Sequence, residues 1–226
     1  MPAFQAELSD GKAPQSVFPR VVAFPPNRAT LGGTAYLIET IAGHVLVDSP
    51  PWTQTTRDYL LTRGVRWFFL TQRGAIAQVK AIQAVLNCEI IIQEQEAYLL
   101  PNLKPTTFHR ELALSEELTL LWSCGVSPGS SCLHWRGEGG VLFSGRHLLP
   151  TRSGDVAPLR TAKTFHWERQ LRSVAALRDR FSPETLQYLC PGASIGFLRG
   201  QYCVADAYEK LRSLNLAALH KAKPSL

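Results

Sequence analysis

The sequence has no long apolar run, no run of basic residues and no even set of cysteines that would suit a disulfide framework. Its five cysteines are an odd number spread along the chain, which fits a reducing compartment better than an oxidising one. Residues 1–7 lack the apolar core of a secretory signal, and no segment approaches the length needed to span a bilayer. These absences predict a soluble, cytoplasmic protein without a membrane span.

The short motifs of several large functional classes are also missing. No Gly-rich phosphate loop ends in Lys-Ser or Lys-Thr, and no G-x-G-x-x-G opens a helical pattern. Residues 192–196 read G-x-S-x-G, but the only histidine after this segment is His220, which is a poor partner for a nucleophilic serine. The net charge of +6 is dispersed and no aromatic-basic stacking motif accompanies it, so nucleic acid is not favoured as a partner.

The composition favours an ordinary globular domain. Hydrophobic residues make up 45% and charged residues 19% of the chain, which supports a sizeable core and argues against disorder. We expect a single domain over residues 1–226, with an irregular N-terminal segment over 1–18 and a loop over 150–164. Apolar periodicity predicts strands at 21–24, 34–39, 44–47, 66–70, 89–92, 106–109, 117–121, 132–136, 141–143 and 186–190, and helices at 53–63, 76–86, 95–100, 165–181 and 203–219.

Five landmarks resemble the metallo-β-lactamase superfamily in order and spacing. They are T-A-Y-L-I-E with H-V-L-V-D-S-P (34–39 and 44–50), R-W-F-F-L-T (66–71), G-V-S-P-G-S (125–130), G-V-L-F-S-G-R (140–146) and C-P-G-A-S (190–194). These are similar to the family's opening hairpin with its first Asp, the strand before its metal loop, and its G-H-T-P-G-S, L-F-x-G-D and P-G-H-G motifs. The resemblance covers about residues 20 to 200 and implies an α/β fold, an αββα four-layer sandwich of two mixed sheets flanked by helices.

The same resemblance implies that the metal-binding positions have lost their ligands. Segment 71–77 stands where the family has T-H-x-H-x-D-H. The family's ligand positions are occupied in this chain by Gln72, Gly74, Ile76, Ala77, Val126, Arg146 and Ala193. A divalent ion needs carboxylate, imidazole or thiolate ligands, and of the family's functional residues only Asp48 remains. We therefore expect no catalytic residues, no cofactor and a pseudoenzyme that acts as a binding or accessory protein.

Arginines have appeared in the loops that lost ligands. Arg73 and Arg146 restore positive charge where a metal ion would sit, and a guanidinium binds carboxylate or phosphate in a bidentate manner. The candidate cleft or anion-binding residues are Asp48, Gln72, Arg73, Arg146, His147 and Ser194. Backbone amides of the turns 127–130 and 192–194 are possible further donors. Alternatively, an intramolecular ion pair, for instance Arg146 with Asp48, closes the old site.

Two further hypotheses remain open. A metal-dependent hydrolase with relocated ligands would use Cys124, Cys190 and His147, which suit tetrahedral zinc. Isolated cysteines are more often buried as small hydrophobes, however, and hydrolysis also requires an open position for activated water. A binding role without a small ligand would use exposed aromatic side chains, of which Trp52 is the best candidate. The expected partner is a protein or a small anionic ligand.

Overall fold

Two β-sheets carry the fold in the structure, a computed structural model that describes residues 11–194, 196–198 and 200–224. The strands of the first sheet are β1 (Gln15–Phe18), β2 (Val21–Ala23), β3 (Tyr36–Ile38), β4 (Val45–Val47), β5 (Trp67–Leu70), β6 (Glu89–Gln93) and β7 (Thr106–Phe108). They lie side by side in sequence order. Neighbours from β1 to β4 are antiparallel and neighbours from β4 to β7 are parallel, so the sheet is mixed.

The second sheet is built from later parts of the chain. Its strands are β8 (Glu111–Ala113), β9 (Leu118–Trp122), β10 (Ser131–Trp135), β11 (Val141–Gly145), β14 (Tyr188–Pro191) and β15 (Val204–Ala205), and a separate pair is formed by β12 (Leu149–Pro150) and β13 (Val156–Ala157). The spatial order is β15-β14-β11-β10-β9-β8. Only β11 and β14 pair parallel among these neighbours, so this sheet is mixed as well.

Helices cover the outer faces of both sheets. They are α1 (Gln54–Arg63), α2 (Val79–Leu86), α3 (Trp167–Arg180), α4 (Ala207–Arg212) and α5 (Leu216–His220). Helix α1 begins after Thr53, whose side chain accepts a hydrogen bond from the Thr56 amide, and it ends at Gly64 with a φ of 74°. Within the described residues, no helix combines the length and the apolar character that crossing a membrane requires.

The alternation of side chains along each strand creates three apolar layers. In β4, Val47 packs between the sheets, whereas Leu46 points to the layer under α1 and α2. In β11, Phe143 packs between the sheets, whereas Leu142 points to the layer under α3 and α4. The predicted αββα sandwich of two mixed sheets is therefore confirmed.

Two segments near the ends of the chain differ from the expectation. Residues 15–18 are not irregular, because they pair antiparallel with β2 as strand β1; residues 1–10 lie outside the described residues. The helix expected over 203–219 is instead a short strand followed by two short helices. Asp206, which precedes α4, has a left-handed backbone with a φ of 55°. Asn215 caps α5 by accepting a hydrogen bond from the Ala218 amide, so a new helix begins after each of these two residues.

The segments before and after β6 also differ from the expected helices over 76–86 and 95–100. Residues 76–78 precede α2 rather than forming its first turn, since a separate 3₁₀ turn at Arg73–Ala75 comes before them. The segment expected as a helix over 95–100 is a 3₁₀ helix, Glu94–Leu99, whose start is capped by the side chain of Gln93. The two 3₁₀ segments are in contact, because Arg73 in the first forms a salt bridge with Glu96 in the second.

Candidate functional site

The loops that follow β4, β5, β11 and β14 meet at one edge of the sandwich. The strands β4 and β5 are parallel neighbours, as are β11 and β14, so each pair presents its carboxyl ends at the same edge. A void of about 10 Å³ at this point is lined by residues from all four loops, namely Asp48, Gln72, Gly74, Ala75, Arg146 and Gly192, together with Thr30 and Gly33. The motifs identified in the sequence therefore converge in space.

Asp48 ties the ends of two strands together at this void. Its backbone is left-handed, with a φ of 62°, and its side chain is buried. One carboxylate oxygen accepts a 2.8 Å hydrogen bond from the Thr71 amide and the other accepts a 2.8 Å hydrogen bond from the Thr71 hydroxyl. Burial nevertheless raises the pKa of Asp48 from 3.8 to about 6, against the opposing effects of Thr71 and of the Arg146 charge.

Backbone packing around Thr71 leaves little room in this void. Gly145 has a φ of 52°, and a Cβ atom there would lie 2.5 Å from the Thr71 hydroxyl oxygen. The Gly192 amide donates a 2.6 Å hydrogen bond to the Gly145 carbonyl, which draws the ends of β11 and β14 together. A volume of about 10 Å³ accommodates roughly one water molecule.

The residues around the void do not fit a divalent cation. Gly74 and Ala75 offer no side-chain donor, Asp48 is engaged with Thr71, and Arg146 brings positive charge to the same void. In the described part of the chain, no group of three or more His, Cys, Asp or Glu side chains is placed to hold a metal ion.

Arg146 lines both the void and a larger pocket, as do Thr30, Gln72 and Gly74. Its Nη2 donates hydrogen bonds of 2.8 Å to the Thr30 carbonyl and 2.9 Å to the Leu31 carbonyl. The expected ion pair with Asp48 is not among the salt bridges of the described residues, although Asp48 influences Arg146 electrostatically. Burial lowers the pKa of Arg146 and the Asp48 charge opposes that shift.

Arg73 makes the intramolecular ion pair instead. Its Nε lies 3.0 Å from Oε1 of Glu96, whose side chain is 0% exposed in the 3₁₀ helix Glu94–Leu99. The second carboxylate oxygen of Glu96 has no hydrogen-bond partner among the described residues. Sequence reasoning missed Glu96, because the Gln-Glu-Gln-Glu stretch over 93–96 contains no apolar residue that would indicate burial.

The larger pocket has a volume of about 470 Å³ and mostly apolar walls. Three cationic side chains line it, those of Arg73, Arg146 and Lys163, and no Asp or Glu is among its described lining residues. Ser127 also lines the pocket; it is buried, and its hydroxyl has no hydrogen-bond partner among the residues that the structure describes. Lys163 belongs to the segment 150–164, which the sequence identified only as a loop.

Two of the expected cleft residues lie away from the void and the pocket. His147 is buried, and its carbonyl accepts a hydrogen bond from Gln170 of α3. The left-handed backbone at Gly145 turns the chain, so that Arg146 reaches the cleft and His147 the interior, where burial lowers its pKa to about 3. Ser194 uses its hydroxyl to accept a hydrogen bond from the Gly196 amide. Neither residue lines the void or the pocket.

The remaining candidates are dispersed rather than gathered. Cys124 is buried beside α3, where its carbonyl accepts a hydrogen bond from Ser173. Cys190 is buried between the two sheets, so these thiols and His147 do not form a ligand group. Trp52 is half-buried and packs against the apolar layer under α1 and α2, which leaves little of it as a surface anchor.

Comparison with known proteins places this geometry in context. No family model matches the sequence, and no curated protein matches it. Among solved structures, a metallo-β-lactamase family protein from Thermus thermophilus superposes with a TM-score of 0.64 at 18% identity, over 91% of this chain and 81% of that one. A metallo-β-lactamase from Staphylococcus aureus superposes with a TM-score of 0.66 at 17% identity, over 94% and 69% of the two chains. The chain has the metallo-β-lactamase fold.

Hydrolases are among the proteins that share this fold. A quorum-quenching N-acyl homoserine lactone hydrolase superposes with a TM-score of 0.59 at 16% identity, over 80% of this chain and 94% of that one. At such identities the likeness establishes the metallo-β-lactamase fold and leaves the activity to be argued from the site.

Proposed function

We propose that this protein is a non-catalytic binding or accessory protein of the metallo-β-lactamase fold, a pseudoenzyme that holds a small organic anion. One observation carries the proposal. At the edge where the loops after β4, β5, β11 and β14 meet, Arg146 lines both a void of about 10 Å³ and a pocket of about 470 Å³. A cation of the protein itself thus borders the space that a ligand would enter.

The residues at the edge favour binding over metal-assisted hydrolysis. A metal hydrolase activates water on a cation that carboxylates and imidazoles hold in place. Here both oxygens of Asp48 accept hydrogen bonds from Thr71, and the imidazole of His147 lies away from the void. No remaining group is positioned to replace them among the described residues.

The pocket walls indicate the chemistry of the ligand. Arg146 and Lys163 supply positive charge, whereas the charge of Arg73 is largely balanced by Glu96. The hydroxyl of Ser127 is free to donate to an anionic oxygen. The other walls include Leu31, Val126, Leu149 and Leu159. A small carboxylate with a hydrocarbon part satisfies both the charges and the apolar surface.

Isothermal titration calorimetry with octanoate tests the proposal. We expect binding that weakens about fivefold in Lys163→Met, because one partly screened charge contributes about 1 kcal/mol. Lys163 forms no salt bridge with the described residues, so its replacement should leave the fold intact. Lys80→Met, at an exposed position on α2, is the matched control and should bind as the original chain does. Absence of octanoate binding, or equal weakening by both variants, would overturn the anion-binding role.

The alternative is a metal-dependent hydrolase with relocated ligands, which the hydrolases of the same fold favour. Elemental mass spectrometry separates the two functions. The untagged protein is expressed with added zinc and dialysed without chelator, and we expect metal well below one ion per chain. Stoichiometric zinc, iron or manganese would refute the non-catalytic role.

A further inference from the structure

Two cysteines flank the paired residues of β14 and β15 at the border of the second sheet. Strands β14 and β15 pair antiparallel with Leu189 opposite Val204. Continuing this register by one residue sets Cys203 opposite Cys190. Directly opposed residues of antiparallel strands have Cα atoms about 4.5–5.5 Å apart. That separation lies inside the range of about 4.4–6.8 Å that a disulfide bridges.

The two thiols also point to the same side of the sheet. Cys190 is fully buried in the apolar layer between the sheets, and Cys203, which is partly buried, packs against that layer. Burial, and after it the neighbouring Cys203 thiol, raises the pKa of the Cys190 thiol. Both cysteines are free thiols in this structure.

Tyr36 braces the backbone next to both cysteines. Its hydroxyl oxygen lies 2.8 Å from the carbonyl oxygen of Pro191 and 2.9 Å from that of Tyr202. Pro191 follows Cys190 and Tyr202 precedes Cys203, so a single buried phenol holds the two strands together at the pair. The register, the shared apolar layer and this brace are three independent features that keep the thiols close.

We propose that Cys190 and Cys203 are a modification site, at which a small-molecule disulfide such as oxidised glutathione converts the two thiols into an intramolecular disulfide. The thiolate of Cys203, the more accessible of the two, attacks one sulfur of the oxidant, forms a mixed disulfide and releases one thiolate. The thiolate of Cys190 then attacks the Cys203 sulfur and displaces the second thiolate. Two protein thiols lose two electrons, the oxidant's S–S bond gains them, and the two protons finish on the two released thiols.

The new bond would close the segment 191–202 into a covalent loop. This segment includes Gly192, which lines the void beside Asp48. Oxidation would therefore fix the side of the cleft that carries the fold's last metal motif. The inference is independent of the proposed anion binding, since neither cysteine lines the pocket.

Peptide mapping of the whole folded protein tests the site. After treatment with oxidised glutathione, the protein is unfolded, alkylated with iodoacetamide and digested with trypsin without reductant. Trypsin cuts after Arg199, between the two cysteines, so peptides 181–199 and 200–210 stay joined only through the disulfide. We expect the joined peptides, the loss of two of the five thiols, and a melting temperature raised by about 5–10 °C that dithiothreitol reverses.

Two variants provide the controls. Cys203→Ala should abolish the joined peptides, whereas Cys88→Ala, at a buried cysteine in the layer under α1 and α2, should retain them. A stable glutathione adduct on Cys203 with Cys190 alkylated would show that the thiols do not meet. Full alkylation of both cysteines in the treated protein would equally overturn the proposal, and this result requires no variant to fold.

Discussion

Replacement of Asp48 by Asn is expected to stabilise the protein at neutral pH. The buried carboxyl titrates near a pKa of about 6 in the folded chain instead of 3.8, so the folded state binds more protons between these values. Stability therefore falls as pH rises through this window and levels off above it. The difference corresponds to about 3 kcal/mol at about 1.4 kcal/mol per pH unit. An Asn amide can accept from the Thr71 amide and donate to its hydroxyl, so both hydrogen bonds have a replacement.

Urea unfolding of the original chain and of Asp48→Asn at a series of pH values from about 3.5 to about 8 measures this effect directly. We expect the two free energies of unfolding to converge near pH 4 and the variant to be more stable by up to about 3 kcal/mol at about pH 7.5. A variant that is less stable at neutral pH, with the same pH dependence as the original chain, would refute the reasoning. Such a result would mean that the carboxylate charge itself holds the edge together.

Three further changes test the geometry. Arg73→Met leaves Glu96 buried without its cation and should cost about 3 kcal/mol in urea unfolding, with Glu96→Gln in the same chain restoring part of the loss. Gly145→Ala should lower the free energy of unfolding by more than about 2 kcal/mol, because the new Cβ atom would clash with Thr71 and the backbone there is left-handed. Gly154→Ala is the control, since Gly154 also has a left-handed backbone but open space around it, and it should lose only about 1 kcal/mol by the same measurement. Burial lowers the pKa of His147 from 6.5 to about 3 in the folded chain, so stability is lost as the pH falls through that window. In His147→Leu, the free energy of unfolding should depend less on pH between these values. An unchanged pH dependence would show that His147 is not the group that titrates.

The fold could be predicted largely because most strands are short apolar runs that turn residues separate. Runs such as Val45–Val47 and Val141–Gly145 are buried on both faces and read as short apolar segments between turn residues. Strand β1, with its sequence Gln-Ser-Val-Phe at the border of the sheet, carries no such run and was missed. The helix expected over 203–219 is too long, because the apolar periodicity continues across Asp206 and Asn215, where the structure begins new helices.

The candidate site was only partly predictable. The convergence of Asp48, Gln72 and Arg146 followed from the motif order and the structure brings them to one void. The ion pair between Arg73 and Glu96 could not be predicted, because the sequence does not mark a carboxylate as buried when the surrounding residues are polar. The contribution of Lys163 depends on how a long loop folds back on the sheet edge, and periodicity carries no information on that path.

Arg146 is a tether between two parts of the chain that are far apart in sequence. Its guanidinium donates hydrogen bonds to the carbonyls of Thr30 and Leu31 and so holds this segment to the second sheet. The side chain of Asn27, in the same segment, donates to the carbonyls of Ser49 and Pro50, which follow Asp48 in the chain. An anion that draws Arg146 toward the pocket must compete with the carbonyls of Thr30 and Leu31. The residue proposed to bind the anion is therefore also one that fixes the backbone at the border of the pocket, so the two roles draw on the same guanidinium.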